Sequence, residues 1–397
     1  VRLHDPLNQD GGTGGIVRAY NSVFYNNRRA AEFINYQNSN FFGGPAGNLS
    51  LFQGCTFFVD DDYNFPNNSD FIGHVTMWRV DGVQFRGCTF QNFQTVGSQE
   101  ERKFGIFTID ADFSVLAFCP NIQQNPCELQ RTVFEGFWRA IEAQSSNCGD
   151  PLTNYSVDRA DFRNNSIGIW NEAVCDARII RSTFDLGEFD APFPADNNLV
   201  GIFLNTGTRY TIEQNTFTGV PDPIAGTIGV YANDTGADDN EIYNNHFENL
   251  SFGNVSAFQN REDPDVKDGN GGLRYFCNTD VDNDIDFFVT GITANEHGIA
   301  TNQGIMPPTP TGEAMIGAGN TFSHNGDSDF RNLSTLNPVI YWHHTSEDFP
   351  TINILNTFPN NTALQANGCL DRWPEGGSDG FISDDEKSKL ESDYNYH

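Results

Sequence analysis

The sequence predicts an all-β fold, a right-handed parallel β-helix with a short C-terminal tail, and three observations carry that reading. A short phrase ending in Phe recurs along most of the chain. A second phrase precedes it at a near-constant offset. The composition is that of short strands joined by tight turns, with 35 Phe, 38 Gly and only 3 Met in 397 residues. Long amphipathic stretches of helical period are hard to find.

The first phrase reads NSVF at Asn21–Phe24, GCTF at Gly54–Phe57 and again at Gly87–Phe90, and RTVF at Arg131–Phe134. It continues as RADF at Arg159–Phe162, RSTF at Arg181–Phe184, QNTFTG at Gln214–Gly219, NNHF at Asn244–Phe247 and GNTF at Gly319–Phe322. Successive Phe residues lie 22 to 44 positions apart, apart from a last interval of 75. The shortest interval suits one coil of three short strands with their turns. Longer ones read as a coil plus a loop, or as two coils where the phrase has drifted.

The second phrase appears at Ile167–Asn171, Val200–Asn205 and Ile228–Asn233. After a turn come Ile179–Ile180, Tyr210–Ile212 and Glu241–Tyr243 respectively. One coil is therefore a strand, a turn, a second strand, a sharp Asn or Gly corner, and a third strand opening on Phe, with side chains alternating in and out. Stacked coils lie about 4.8 Å apart, so Phe sits over Phe as an internal aromatic stack and Asn over Asn as an amide ladder. Roughly a dozen coils make a rod of about 60 Å. A propeller repeats more evenly at about 40–45 residues, and a sandwich repeats no phrase.

The solenoid is expected over residues 1–360. Residues 361–397 read as an acidic cap or linker tail, or the start of a further domain, since solenoid ends need covering. The chain begins within the pattern at Val1 without an initiator Met, as a processed or trimmed piece does. Gly11–Gly15 reads as a loop entering the first coil. Pro/Gly/Asp-rich excursions between Gly253 and Gly271 and across Ile305–Gly319 are candidate binding loops.

The formal charge is −31, and only Lys103, Lys267, Lys387 and Lys389 are lysines. Such a surface repels nucleic acid and anionic lipid, and suits a salty, calcium-containing exterior. No run of about 18 apolar residues offers a transmembrane segment. Eight cysteines without a CxxC pair favour disulfides in an oxidising compartment over zinc or thioredoxin-like chemistry. Cys119–Cys127 and Cys148–Cys175 are the expected bridges, with buried free thiols as the alternative.

Taken together, NSVFYNNRRAAEF (Asn21–Phe33), HVTMWRVDGVQFRGCTF (His74–Phe90), FEGFWRAIEA (Phe134–Ala143), NEIYNNHFENLSFG (Asn240–Gly253), GLRYFCNTDVDNDIDFFV (Gly272–Val289) and YWHH (Tyr341–His344) resemble the right-handed parallel β-helix repeat proteins of the Bacteroidota. The resemblance implies a cell-surface or secreted, adhesion-related protein exported through the type 9 secretion pathway.

Many β-helices are polysaccharide lyases or glycoside hydrolases, so a carbohydrate-active enzyme is the main rival. Hydrolases of the galacturonase type resemble one another in an Asp pair, a Gly-His-Gly and an Arg-Ile-Lys. Here Gly73-His74 is followed by Val and no Arg-Ile-Lys occurs. No catalytic residue is assigned and no cofactor is required. Arg28 and Arg29 are expected to pair with neighbours such as Glu32, and Asp60, Asp61 and Asp62 to form a solvated loop. His343 and His344 face opposite sides of a strand and cannot share a metal.

Calcium is the one metal suggested. Asp280, Asp282, Asp284 and Asp286 open like an EF-hand, with Ile285 where the turn Gly would stand; on a strand they would share one face. Glu375, Asp379 and Glu386 stand at the first, fifth and twelfth positions of a second EF-hand-like segment, with Gly380 at the turn and Gly377 departing from the pattern. Its rival is a helix start capped by Ser383. The function expected is a non-catalytic extracellular or cell-surface module of an adhesin, filament or appendage. Its partners would be polysaccharide or other surface components, a second copy, or a larger surface assembly. A carbohydrate-binding module would instead need exposed platforms, for which Trp78, Trp138, Trp170, Trp342 and Trp373 are candidates.

Overall fold

In each coil the alternation of side chains decides which way the chain faces. Phe217 points inward between outward Thr216 and Thr218, and Ile212 follows outward Thr211. Between these two strands Gln214 takes a left-handed φ of 57°, which turns the chain sharply. The equivalent corners use Gly54, Gly87, Asn244 and Cys277, all with positive φ. The computed structural model describes Arg2–Leu3 and residues 16–36, 38–39, 45–46, 50–64, 70–121, 127–148, 153–187, 199–221, 226–262, 271–290, 298–304, 316–334, 336–363 and 365–373.

Repetition of that coil builds a parallel β-helix with three sheets. The long sheet has 11 strands from Arg2–Leu3 to Ser328–Asn332. The second has 9, from Arg18–Tyr20 to Arg274–Phe276, and the third 9, from Val23–Tyr25 to Thr279–Val281. A three-stranded parallel sheet of Asn302–Gln303, Val339–Trp342 and Thr357–Asn360 follows at the C-terminal end. The dozen coils expected become nine to eleven layers, a rod of about 50 Å.

The recurring Phe residues form the internal stack. Rings from Phe24 through Phe57, Phe90, Phe134, Phe162, Phe184 and Phe217 to Phe247 follow one another at 4.5–5.0 Å, nearly parallel. The long sheet makes room for them with a column of small residues: Gly105, Ala140, Gly168, Gly201, Gly229 and Gly253 stand in register. A Cβ at Gly201 would lie 2.6 Å from both the Gly229 carbonyl oxygen and the Phe217 ring. Any side chain there would displace either the backbone or the ring, which is why the second phrase keeps its Gly.

The corner ladder is also present. Asn215 donates to Asn245 at 3.0 Å, Asn245 to Asn278 at 3.2 Å and Asn278 to Asn320 at 3.1 Å. Each amide also donates to a carbonyl one coil back, those of Ile179, Ile212 and Ile242, at 2.9 Å. Cys55 and Cys88 hold the same corner position nearer the N-terminus, and their thiols point at the Ala19 and Phe52 carbonyls at 3.4 and 3.3 Å. Both are buried and unbridged because they serve as weak stand-ins for the Asn donors. Cys119–Cys127 and Cys148–Cys175 are bridged as expected. The Cys277–Cys369 bridge spans 92 residues, a separation at which spacing carries no signal.

That third bridge fixes where the chain goes after residue 360. Residues 365–373 run back along the second sheet: Tyr243 donates to the Leu370 carbonyl at 2.8 Å, and Trp373 Nε1 to Glu213 at 2.7 Å. Arg372 pairs with Glu213 at 2.9 Å and Glu241 at 2.8 Å, its guanidinium 3.7 Å from the Tyr243 ring centre. The segment is a strap on the rod.

Candidate functional site

The Phe stack is broken once, and the break collects the least expected side chains of the interior. One coil after Phe247, the stack position is held by Asp280. The following layer carries Phe322, so the 75-residue interval is two coils with a drifted phrase between them. In the same two layers the small-residue column of the long sheet changes to Asp286 and Asp329. Asp280, Asp286 and Asp329 are all buried.

Their partners form a chain of contacts leading outward. Asn283 Nδ2 donates to Asp280 and Asp286, each at 3.2 Å. Ser323 donates its hydroxyl to Asp286 Oδ1 at 2.7 Å and its backbone N–H to Oδ2 at 2.9 Å. Asp329 accepts the Thr351 and Ile352 amides at 2.7 and 2.8 Å. His324 bridges Asp329 at 2.8 Å and half-exposed Asp348 at 2.9 Å. Asp280 Oδ2 has no partner.

Electrostatics follow from this burial. Burial, then the charges of Asp286 and Asp329, hold the Asp280 carboxyl well above the carboxylate range. Burial lifts Asp286 to about 7 against the pull of Ser323 and Asn283. Burial opposes the charged form of His324, but its bonds to Asp348 and Asp329 outweigh that and raise it. Burial and the neighbouring carboxylates thus favour the protonated form of Asp280. The cluster pins the segments 320–334 and 348–352 onto the last regular coil.

This placement corrects the expectation that four alternating aspartates share one strand face. Asp282 takes a left-handed φ of 54° at the end of the strand Thr279–Val281, so the chain turns within the run. Asp280 and Asp286 consequently face inward on different strands. Asp282 instead bonds exposed Asn325, and Asp284 O accepts the Asp327 and Ser328 amides. Glu375, Asp379 and Glu386 lie outside the described residues. Among the described residues, no group of three or more His, Cys, Asp or Glu side chains is placed to hold a metal ion.

The other singled-out residues are engaged structurally. Arg29 pairs with Glu32, and Arg28 donates to the Asp70 carbonyl at 3.3 Å. Asp60 accepts from Tyr25 and Asn26, whereas Asp61 accepts from Thr95. His74 lies in the small-residue column one layer before Gly105, fully buried, with Nε2 3.0 Å from the Gln91 carbonyl; burial depresses it to about 4 and keeps it neutral. Buried His343 stacks on Phe349 at 4.4 Å while His344 bonds Ser346 on the other side. His343 and Phe349 line an open depression of about 440 Å³ with Thr345, Pro359, Asn360 and Asn361.

The outer face of the long sheet carries a row that the Trp residues alone did not reveal. Trp170, Phe203 and Tyr231 stand in register and stack face to face at 4.2 and 4.9 Å. Arg139, paired with Glu142 at 2.6 Å, lies between Trp138 and Trp170, 4.0 and 3.8 Å from their ring centres. A polar row beside them links Asn205 to Glu172 at 2.8 Å and Asn233 to Asn205 at 2.6 Å. Stacking along the rod covers the ring faces, so this row presents ring edges where a sugar platform needs faces. Trp342 is tied to Asn302 at 3.0 Å and Trp373 to Glu213, which leaves Trp78 as the exposed tryptophan among those described.

A family model described as "Periplasmic copper-binding protein (NosD)" matches residues 67–261, a stretch whose described strands belong to the regular coils. No curated protein and no solved structure matches the chain. The matched stretch is similar to that family in its stacked coils, and its described residues do not fit a copper site. His74 is alone in an apolar column, the Cys88 thiol is spent on the Phe52 carbonyl, and Met77, one of 3 methionines in the chain, is buried on the long sheet. No helix among the described residues is long and apolar enough to cross a membrane.

Proposed function

We propose that this chain is a non-catalytic β-helix rod working outside the cytoplasm, the rigid module of a cell-surface adhesin, filament or appendage. The observation that carries this reading is the unbroken internal stack from Phe24 to Phe247, which couples each coil to the next through ring contacts, amide bonds and parallel strands. Such a one-dimensional solid transmits force and holds its loops at fixed spacing.

Three disulfides suit an oxidising compartment, and the family matched by residues 67–261 is described as periplasmic. Export by the type 9 pathway, inferred from the resemblance of the repeats, is the route this reading favours. Polysaccharide or other surface components are the intended partners, met by loops rather than by the stacked rings of the long sheet. The test is to expose the chain to neutral and acidic polysaccharides and to intact cells, following new reducing ends, ultraviolet-absorbing unsaturated products and retention. Retention without turnover is expected. Cleavage of any substrate, lost on substituting a single loop carboxylate or arginine, would overturn the proposal.

A further inference from the structure

The loop after Trp342 and the turn at Asn360–Asn361 meet at the open depression of about 440 Å³ lined by His343, Thr345, Phe349, Pro359, Asn360 and Asn361. Paired strands fix one part of it. Trp342 and Asn360 are register partners in the parallel strands Val339–Trp342 and Thr357–Asn360, and the His343 N–H donates to the Asn360 carbonyl at 3.0 Å. The loop is held by its own bonds: Phe349 N–H donates to Asp348 Oδ1 at 2.9 Å, and Asp348 pairs with His324 at 2.9 Å. A site fixed in this way binds with little ordering cost. Its volume lies at the small end of the range of about 300–1,000 Å³ typical of ligand pockets.

Three of the lining groups each have a role left to fill. Phe349 stacks on His343 at 4.4 Å and 14°, yet remains 38% exposed, so one ring face is covered and the exposure belongs to the rest of the ring. His343 Nδ1 lies 3.2 Å from the His344 carbonyl oxygen, a contact that needs an N–H, and Nε2 of the neutral ring is then the acceptor. Asn360 Oδ1 accepts the Thr362 N–H at 3.1 Å and the Thr362 hydroxyl at 2.7 Å. Those bonds fix which end of the amide is which and leave Nδ2 as the donor.

Charge narrows the ligand class. No Asp, Glu, Lys or Arg lines the depression, although the chain carries a formal charge of −31. A uronate or phosphate would meet no cation there and an ammonium no carboxylate, so either would lose hydration without return. A wholly apolar ligand would strand Nε2 and Nδ2. The remaining match is an uncharged molecule with a C–H face for Phe349 and Pro359 and with hydroxyls that donate to Nε2 and accept from Nδ2.

We infer that this depression is a binding subsite for a neutral sugar residue of a glycan, with Phe349 as its platform and His343 and Asn360 as its polar contacts. The inference rests on the reading of the chain as a non-catalytic module that meets polysaccharide, and it assigns the contact to the loop and turn beside the C-terminal three-stranded sheet.

Calorimetric titration of the whole chain with maltotriose, cellotriose, mannotriose and tri-N-acetylchitotriose, and with trigalacturonate as the charged counterpart, tests it. At least one neutral trisaccharide is expected to bind with a Kd of about 1 mM or tighter, and trigalacturonate to bind more weakly than that sugar. Asn360→Asp keeps both bonds from Thr362 and replaces the donor by a carboxylate oxygen. It should weaken binding by about tenfold or more, equivalent to about 1.4 kcal/mol, with thermal unfolding unchanged. Phe349→Ala should do the same, and Trp78→Ala, on the long sheet, should leave binding as it was. The inference is overturned if no neutral trisaccharide binds, if trigalacturonate binds equally or better, or if both variants bind as the unaltered chain does. Polysaccharide retained equally by the unaltered chain and both variants removes this subsite and leaves the rod reading standing. A trisaccharide that binds here and is cut leaves the subsite standing and overturns the non-catalytic reading.

Discussion

Replacing Phe90 by Ala probes the internal stack at its tightest point. Phe90 is completely buried, lies 4.5 Å from the Phe57 ring and 4.7 Å from the Phe134 ring, both within 2° of parallel, and meets Phe85 edge-on at 5.7 Å. Truncation removes the transfer energy of the ring and leaves a cavity that regular strands on three sides cannot collapse, a loss of about 3–5 kcal/mol. Phe90→Leu keeps most of the volume and loses the two stacked contacts, at about 0.5–1.5 kcal/mol each beyond burial. The difference between the variants therefore separates cavity from stacking. A solenoid need not unfold in one step, so denaturant titration should be paired with hydrogen exchange of Phe57 and Phe134 amides, which report the neighbouring coils directly. Alanine is expected to raise exchange at both neighbours and leucine to do so more weakly. A cost below about 1 kcal/mol for Phe90→Ala, typical of surface substitutions, would refute the stack as the source of cohesion.

Other perturbations test other parts of the rod. Gly201→Ala forces a methyl to within 2.6 Å of the Gly229 carbonyl and the Phe217 ring, and should cost about 1–3 kcal/mol in chemical denaturation; a neutral result would mean the column is not tight. Cys369→Ser opens the 92-residue Cys277–Cys369 loop, worth about 4–5 kcal/mol in the chain-entropy account, and should expose residues 365–373 to limited proteolysis while the upstream coils resist; an unchanged cleavage pattern would count against the strap. Stability near the acid cluster should fall as pH rises. Asp286 is raised from 3.8 to about 7, and His324 is raised above 6.5, so the folded state favours both protonated forms. Their contribution is complete below the unfolded values and is lost as pH rises through about 7 and through the raised His324 value. Intrinsic-rate-corrected exchange of the Ser323–Asp329 amides should accelerate from mildly acidic to mildly alkaline pH, more than at Thr211–Glu213; the opposite slope would contradict the assignment.

What the sequence determined by itself is the periodic part of this protein. Spacing of Phe and Gly within the two phrases specifies inward and outward positions, because a strand alternates strictly and a stacked coil repeats its neighbour's environment. The rod, its Phe stack, its Asn corner and two local disulfides were legible for that reason, each needing only residues within one coil or its neighbour. The tertiary structure decided whatever joins distant layers or departs from the repeat. Cys277 and Cys369 meet only because the strap folds back along the second sheet. The run Asp280–Asp286 reads as a calcium loop in one dimension, yet its left-handed turn at Asp282 sends two carboxylates into the interior, where Asp329 and His324 arrive from coils still to come. Trp170 was one candidate for a sugar platform by residue type alone, but the register stacks Phe203 on its ring and the Arg139 guanidinium lies 3.8 Å from the ring centre. A linear pattern fixes which side of a strand a residue takes. Only the stacking fixes what stands on that side.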